Sequence, residues 1–510
     1  MRTSLLTLAV LAALVAGCAG ASSSPGYPGA AGASSAPEHH QPTAAPWPAG
    51  PAATPYGGVT YEDPGVNPYV DPDEDQVSTF ALDVDTASYT IAQRYVDDGN
   101  RPDPASVRVE EWVNAFAQGY GSPDDETFAI LADGGPTPFG AVDEVMLRVG
   151  LQARDVRDGT RQPASLTFVI DTSGSMEREG RLELVKDALR LLVDGLDRRD
   201  TIAIVTFGDD GRVLLRPTPA AEADEILGVI EQLQPGGSTN LEAGLRLGYA
   251  LARESLTENG IDRVVLASDG VANVGLTDPE SILGAIERDA QAGIELVSVG
   301  VGMGNYNDTL LEQLADKGDG FYAYVNVLDE ARRLFTEDLT GTLQTVALDA
   351  KAQVTFDRDV VAAYRLVGYE NRDIDDNAFV DPNVEAGAIG AGHAVTALYA
   401  LRLREDLGRQ DVLGTVRLRW TDPESGAADE VERTFRTSDL ARTFEAGDPY
   451  FRFDAIVAAT AEVLRGSPWT ERLDLGTVAD IADREASGLP PTDEVHGFLD
   501  LLDRMARMGD

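Results

Sequence analysis

Ser165-Leu166-Thr167-Phe168-Val169-Ile170-Asp171-Thr172-Ser173-Gly174-Ser175-Met176 is the stretch whose reading settles most about this chain. Leu166 to Ile170 is a continuous apolar run, the pattern of a strand covered on both faces. It leads into Asp171-x-Ser173-x-Ser175, one carboxylate and two hydroxyls at alternate positions. Gly174 is expected to let the loop turn so that all three converge. Hard oxygens without cysteine or histidine suit Mg²⁺, Mn²⁺ or Ca²⁺, not zinc or copper.

Two further donors lie downstream. Gly236-Gly237-Ser238-Thr239-Asn240 precedes the apolar helix Leu241 to Ala252, and Val264-Val265-Leu266-Ala267-Ser268-Asp269-Gly270 is a second buried strand ending in a carboxylate. In an open parallel sheet, ligands bind beyond the carboxyl ends of the strands, which is where Asp171 and Asp269 fall. Asp, Ser, Gly and Thr are also ordinary turn residues, so one such triplet says little. The specific signal is all five donors in order at strand ends. That pattern resembles the metal-ion-dependent adhesion site of a von Willebrand factor type A domain. The resemblance implies that Ser173, Ser175 and Thr239 bind the ion directly, while Asp171 and Asp269 act partly through waters.

Around these motifs, residues 162–340 alternate strand and helix. Strands are expected at 166–171, 201–207, 212–215, 263–268, 295–301 and 320–325. Helices are expected near 181–195, 220–233, 241–255, 279–292, 307–317 and 328–339. Apolar strands between helices make an α/β, doubly wound, mostly parallel six-stranded sheet, with the short third strand as an antiparallel edge.

The flanks read differently. Residues 78–89 suggest a strand and turn, followed by helices over 87–98 and 104–117. Two β runs follow, at 128–132 and 145–151. After the α/β region, 346–356, 361–369, 393–404, 413–420 and 430–436 are strand-like, several with alternation, and suggest a β-sandwich. The β runs on either side are expected to pair, which would insert the α/β domain into one sandwich; the alternative is that the two flanks are separate modules. Three amphipathic helices are expected over 449–508. The domain plan is therefore 1–18 leader, 19–75 tether rich in Ala, Gly, Pro and Ser, 76–160 N-terminal region, 161–341 α/β domain, 342–440 sandwich and 441–510 helices.

Longer stretches carry a closer resemblance. Leu82-Asp83-Val84-Asp85-Thr86-Ala87-Ser88-Tyr89, Arg108-Val109-Glu110-Glu111-Trp112-Val113-Asn114, Gly302-Met303-Gly304-Asn305-Tyr306-Asn307-Asp308 and Arg365-Leu366-Val367-Gly368-Tyr369-Glu370-Asn371-Arg372 resemble the bacterial YfbK-type von Willebrand factor A lipoproteins. Asp83-x-Asp85 superficially matches a phosphatase start, but Ala87 stands where that motif needs Thr or Val. Gly302 to Asp308 reads as a glycine-rich turn into a helix.

The chain has 510 residues, 43% of them apolar, enough for several cores. Met1-Arg2-Thr3, an apolar run to Ala16 and Val15-Ala16-Gly17-Cys18 describe a secretory leader with a lipobox-like end. Cys18, the chain's only cysteine, is then the expected lipidation site. These features imply a lipid-anchored cell-envelope protein at the outer membrane, in the periplasm or on the cell surface. A net charge of −45 argues against nucleic acid as a partner. The expected activity is binding, not catalysis: a protein partner donates a carboxylate to a divalent cation. The alternatives are a metal-dependent hydrolase and a scaffold with a purely stabilising metal. Against the hydrolase, the chain has no GxSxG elbow or HExxH helix. Only His393 and His496 lie in regions expected to be ordered, and His393 is expected to pack in the sandwich.

Overall fold

A computed structural model describes residue 61 and residues 65–508, apart from 83–85, 141–143, 157–161, 257–259, 270–281, 283–292, 303–307, 319, 321, 326, 333–343, 371–373, 382–385 and 424. The leader, Cys18, most of the tether, the Asp83-x-Asp85 motif, Met303 to Asn307 of the Gly302 stretch and most of the 279–292 helix lie outside the described residues.

The chain opens with β1 (Val77–Ala81), α1 (Ala87–Asp97), α2 (Val109–Asn114), β2 (Phe128–Pro136) and β3 (Glu144–Ala153). The α/β domain follows as β4 (Ala164–Asp171), α3 (Arg181–Gly195), β5 (Thr201–Phe207), β6 (Gly211–Pro219), α4 (Ala223–Glu231), α5 (Leu241–Ala252), β7 (Ile261–Ser268), β8 (Glu295–Val301), α6 (Asp308–Lys317), β9 (Tyr322–Val325) and α7 (Leu328–Arg332). Then come β10 (Thr345–Phe356), β11 (Val361–Val367), β12 (Ala388–Gly390), β13 (Ala394–Leu403), β14 (Val412–Thr421), β15 (Ala428–Arg436), α8 (Pro449–Leu464), α9 (Leu475–Glu485) and α10 (Asp493–Arg507).

The α/β sheet has the order β6-β5-β4-β7-β8-β9, parallel except for β6. All eight residues of β4 are buried, as its unalternating sequence requires. One face packs Val169, Val205 and Leu266 against Leu245 and Tyr249 of α5. The other packs Phe168, Ile170 and Val265 against Leu182, Val185 and Leu189 of α3. The site rim lies at the carboxyl ends of the adjacent strands β4 and β7.

The flanks form one sandwich. Its first sheet is β1-β10-β14-β15 with β12 on β10, and its second is β11-β13-β3-β2. N-terminal β3 pairs with C-terminal β13, Val149 opposite Ala397. The chain leaves this sheet after β3 and returns to the sandwich at β10, so the α/β domain is inserted into it. Phe80, Leu147, Phe356, Tyr364, Tyr399 and Trp420 share its core. Arg148 in β3 binds Asp133 through two hydrogen bonds of 2.8 and 2.6 Å and reaches Asp454 of α8 at 3.0 Å.

Four expectations need correction. The helix over 104–117 is broken: Pro104–Ser106 is a single 3₁₀ turn, and Val107 and Arg108 are extended before α2. The tether does not run to 75. Val70 exchanges backbone hydrogen bonds with Tyr364 (2.8 and 3.0 Å), and the Asn67 amide donates to the carbonyls of Leu366 and Gly368. Those bonds satisfy a backbone whose composition alone suggested solvent. Helix α8 is not amphipathic: every residue from Phe451 to Glu462 is buried, because the sandwich, α2 and α9 surround it. Finally, His393 is exposed, since it sits in the turn just before β13 begins.

Helix α1 joins the parts. Ile91 and Tyr95 pack into the α/β core, while Tyr89, Ala92 and Val96 pack with Trp112, Phe453 and Phe498.

Candidate functional site

Asp171 ends β4 wholly buried. Its Oδ1 accepts from the backbone N–H of Ser173 at 2.8 Å, and its Oδ2 from the Ser268 hydroxyl at the end of β7, also at 2.8 Å. The two bonds fix the carboxylate across both strand ends. Burial pushes the Asp171 carboxyl up to about 6; the Ser173 bonds oppose the rise and the nearby Asp269 charge adds to it. The Ser173 and Ser175 hydroxyls are 2.9 Å apart, so the alternating serines do converge. Gly174, expected to supply the turn by its conformational freedom, is not left-handed. Its N–H instead donates to the carbonyl of Gly237 at 3.1 Å.

That bond ties the first loop to the second. The Gly236 N–H donates to the Thr172 carbonyl at 2.7 Å, and Gly237 takes the left-handed φ of +89° that its position demands. Asp209 accepts from the N–H and hydroxyl of Ser238 at 2.9 and 2.7 Å, and these bonds hold its carboxyl below the usual range. Asn240 caps α5 by accepting from Ala243 N–H at 3.1 Å. Thr239 is therefore pinned on both sides, with 1% of its surface exposed.

Asp269 follows β7, with no exposed surface. Arg181, the first residue of α3, donates from Nη1 to Asp269 Oδ2 at 2.8 Å, and both side chains are buried. The other oxygen, Oδ1, is buried and accepts no hydrogen bond among the described residues. A buried carboxylate oxygen without a donor is costly unless a cation or its hydration shell satisfies it.

The structure thus ties Asp171 to the end of β7, which Asp269 follows, and to the serine loop, and it laces the Thr239 loop onto that loop. Two carboxylates and three hydroxyls suit a hard divalent cation. Among the described residues, no group of three or more histidine, cysteine, aspartate or glutamate side chains could hold a metal. The five-oxygen set falls outside that description because three of its members are hydroxyls. The sequence reading missed Arg181, Ser268 and Asp209. Ser268 stood in the quoted strand end, and Asp209 follows the apolar run of β5. Nothing in the local sequence marks Arg181 as a partner of Asp269.

Three family profiles match in tandem: "von Willebrand factor" over residues 56–147, "von Willebrand factor type A domain" over 165–337, and "Uncharacterized protein YfbK, C-terminal" over 341–508. The uncharacterized protein YfbK of Escherichia coli (strain K12) is 34% identical over 472 residues, spanning 88% of this chain and 81% of that one. Inter-alpha-trypsin inhibitor heavy chain H3 of Homo sapiens is 29% identical over 191 residues, 36% of this chain and 20% of that protein. A solved von Willebrand factor type A protein from Catenulispora acidiphila superimposes with a TM-score of 0.45 at 17% identity, covering 73% of this chain and 89% of that one.

Proposed function

The chain belongs to the family of the bacterial protein YfbK, built around a von Willebrand factor type A domain, and from that premise we propose that it is a lipid-anchored envelope protein that captures a protein partner through a divalent cation. A von Willebrand factor type A domain is a binding module. The finer reading rests on one observation: Asp171, Ser173, Ser175 and the Thr239 loop are bonded together at the strand ends beside the buried Oδ1 of Asp269, which accepts no hydrogen bond among the described residues.

The residues fit Mg²⁺, with Mn²⁺ and Ca²⁺ as alternatives. Ser173, Ser175 and Thr239 would hold the ion directly, and Asp171 and Asp269 would orient its waters. When bound, the cation supplies an electrophilic position for an outside carboxylate. Ser175 is only half-buried and Gly174 is exposed, so the serine loop is reachable from solvent, which supports access by such a carboxylate. The leader ending at Cys18 supports the lipid anchor, and the net charge of −45 supports a partner other than nucleic acid. No helix among the described residues is long and apolar enough to cross a membrane. Binding is favoured over hydrolysis by the donor set: the two histidines at 393 and 496 are exposed on the sandwich turn and on α10.

The test is capture from a solubilised envelope extract by the immobilised chain, with Mg²⁺ or with EDTA, and with Asp171→Ala in parallel. A partner retained only by the wild type and only with Mg²⁺ is expected. Capture indifferent to both chelation and the substitution would refute the reading.

A further inference from the structure

Arg181 is the unexplained group at this rim. A guanidinium with 2% of its side chain exposed is costly to bury, yet this one makes one short bond, to Asp269 Oδ2. Among the described residues, its Nε and Nη2 form no hydrogen bond, and its one further charge contact is Glu179 Oε2 at 3.8 Å. Glu179 is well exposed and also lies 3.8 Å from Arg94 of α1, so solvent and a second cation weaken its pull. The fold also makes room for this side chain. Gly302, at φ +74° after β8, lies against the guanidinium, and a Cβ there would overlap Arg181 Nε. A hydrophobic residue could fill the same space without burying a charge.

We propose that Arg181 is the internal counter-cation of the site and the positioning residue for Asp269. Its bond to Oδ2 removes one of the two oxygens that Asp269 could offer and leaves Oδ1 for a water of the bound cation. The charge count follows directly. Among the buried groups, Asp171 and Asp269 against Arg181 leave one net negative charge, while Glu179 and Asp209 are exposed and screened by solvent, so a divalent cation bound there keeps one net positive charge. Without the guanidinium the two carboxylates would neutralise the cation completely. Arg181 therefore weakens cation binding and, in return, keeps the bound ion attractive to an incoming carboxylate. This inference rests on the cation reading above.

Calorimetric titration of the metal-free chain with MgCl₂ tests it, using wild type, Arg181→Gln, Arg181→Lys and Asp171→Ala. Loss of a buried positive charge within several ångströms of the ion should tighten Mg²⁺ binding of Arg181→Gln by at least ~tenfold. Arg181→Lys keeps the charge and should stay within about threefold of wild type. Should Arg181→Gln fail to fold in EDTA, recovery of its native circular dichroism on adding Mg²⁺ supports the counter-cation role. Failure to fold with Mg²⁺ as well makes the bond purely structural and overturns the role. Unchanged or weaker Mg²⁺ affinity in Arg181→Gln, with wild type binding normally, overturns the inference alone. Wild type that takes up no more Mg²⁺ than Asp171→Ala removes the cation reading and this inference together.

Discussion

Asp171→Asn should make the metal-free protein more stable. The carboxyl, ordinarily near 3.8, is raised to about 6, mainly by burial. A group that holds its proton more tightly when folded contributes stability below its unfolded value and loses that contribution as pH rises through its folded value. The rise from 3.8 to about 6 amounts to on the order of 3 kcal/mol carried by the ionised, cation-free site at pH 8, falling to about 1 kcal/mol at pH 4.5. Asparagine removes the charge and keeps the geometry. Its oxygen can accept from Ser173 N–H, and its amide can face the Ser268 hydroxyl, which rotates to accept. Thermal denaturation in EDTA, following the transition that Mg²⁺ shifts in wild type, measures the effect. At about 2–4 °C per kcal/mol for a domain of this size, the gain at pH 8 is ~6–12 °C and should shrink markedly at pH 4.5. Added Mg²⁺ should raise the wild-type midpoint and leave Asp171→Asn unmoved. A variant less stable than wild type in EDTA at pH 8 is the opposite outcome. It would mean that the ionised carboxylate staples its loops instead of waiting for a cation.

Further substitutions separate the site from its supports. Glu110 of α2 is pushed up to about 7 by burial and by the neighbouring Glu370 and Glu111, so Glu110→Gln should stabilise increasingly between pH 5 and pH 8, by up to on the order of 3 kcal/mol, read as a widening gap in urea midpoints. Gly248→Ala would drive a Cβ into the side chain of Val169 and tilt the helix whose N-terminus holds the Thr239 loop, costing ~1–3 kcal/mol and weakening Mg²⁺ affinity in calorimetry. Phe356→Ala opens the sandwich core beside Tyr364, whose ring stacks on it at 4.4 Å; ~3–5 kcal/mol should be lost from the sandwich transition, while the Mg²⁺ affinity stays within about twofold.

The α/β domain was legible because its strands are unalternating apolar runs and two of them lead into carboxylates, Asp171 and Asp269. The 201–207 and 295–301 strands and the 181–195 helix match the expected bounds. Patterning on the two flanks suggested that their β runs pair but left two separate modules open; the pairing of β3 with β13 came from the structure. What escaped the sequence depends on contacts far apart along the chain. Helix α8 carries Asp454, Glu462 and Arg452, which read as a polar face until Arg148, Arg365 and Glu485 are seen to pair with them. Residues 67–70 look like linker until their bonds to β11 and its following turn are counted. The bond from Arg181 to Asp269 spans 88 positions and joins two elements that only the wound sheet brings together.

The proposed function requires that five oxygen-bearing side chains hold one divalent cation. Titrating the metal-free chain with Mn²⁺ and reading the free ion by electron paramagnetic resonance addresses it directly. One Mn²⁺ per chain, displaced by excess Mg²⁺ and absent from a Ser173→Ala, Ser175→Ala double variant that keeps its circular dichroism, is the expected result. Wild type that binds no Mn²⁺, or a double variant that binds it as well as wild type, would contradict it.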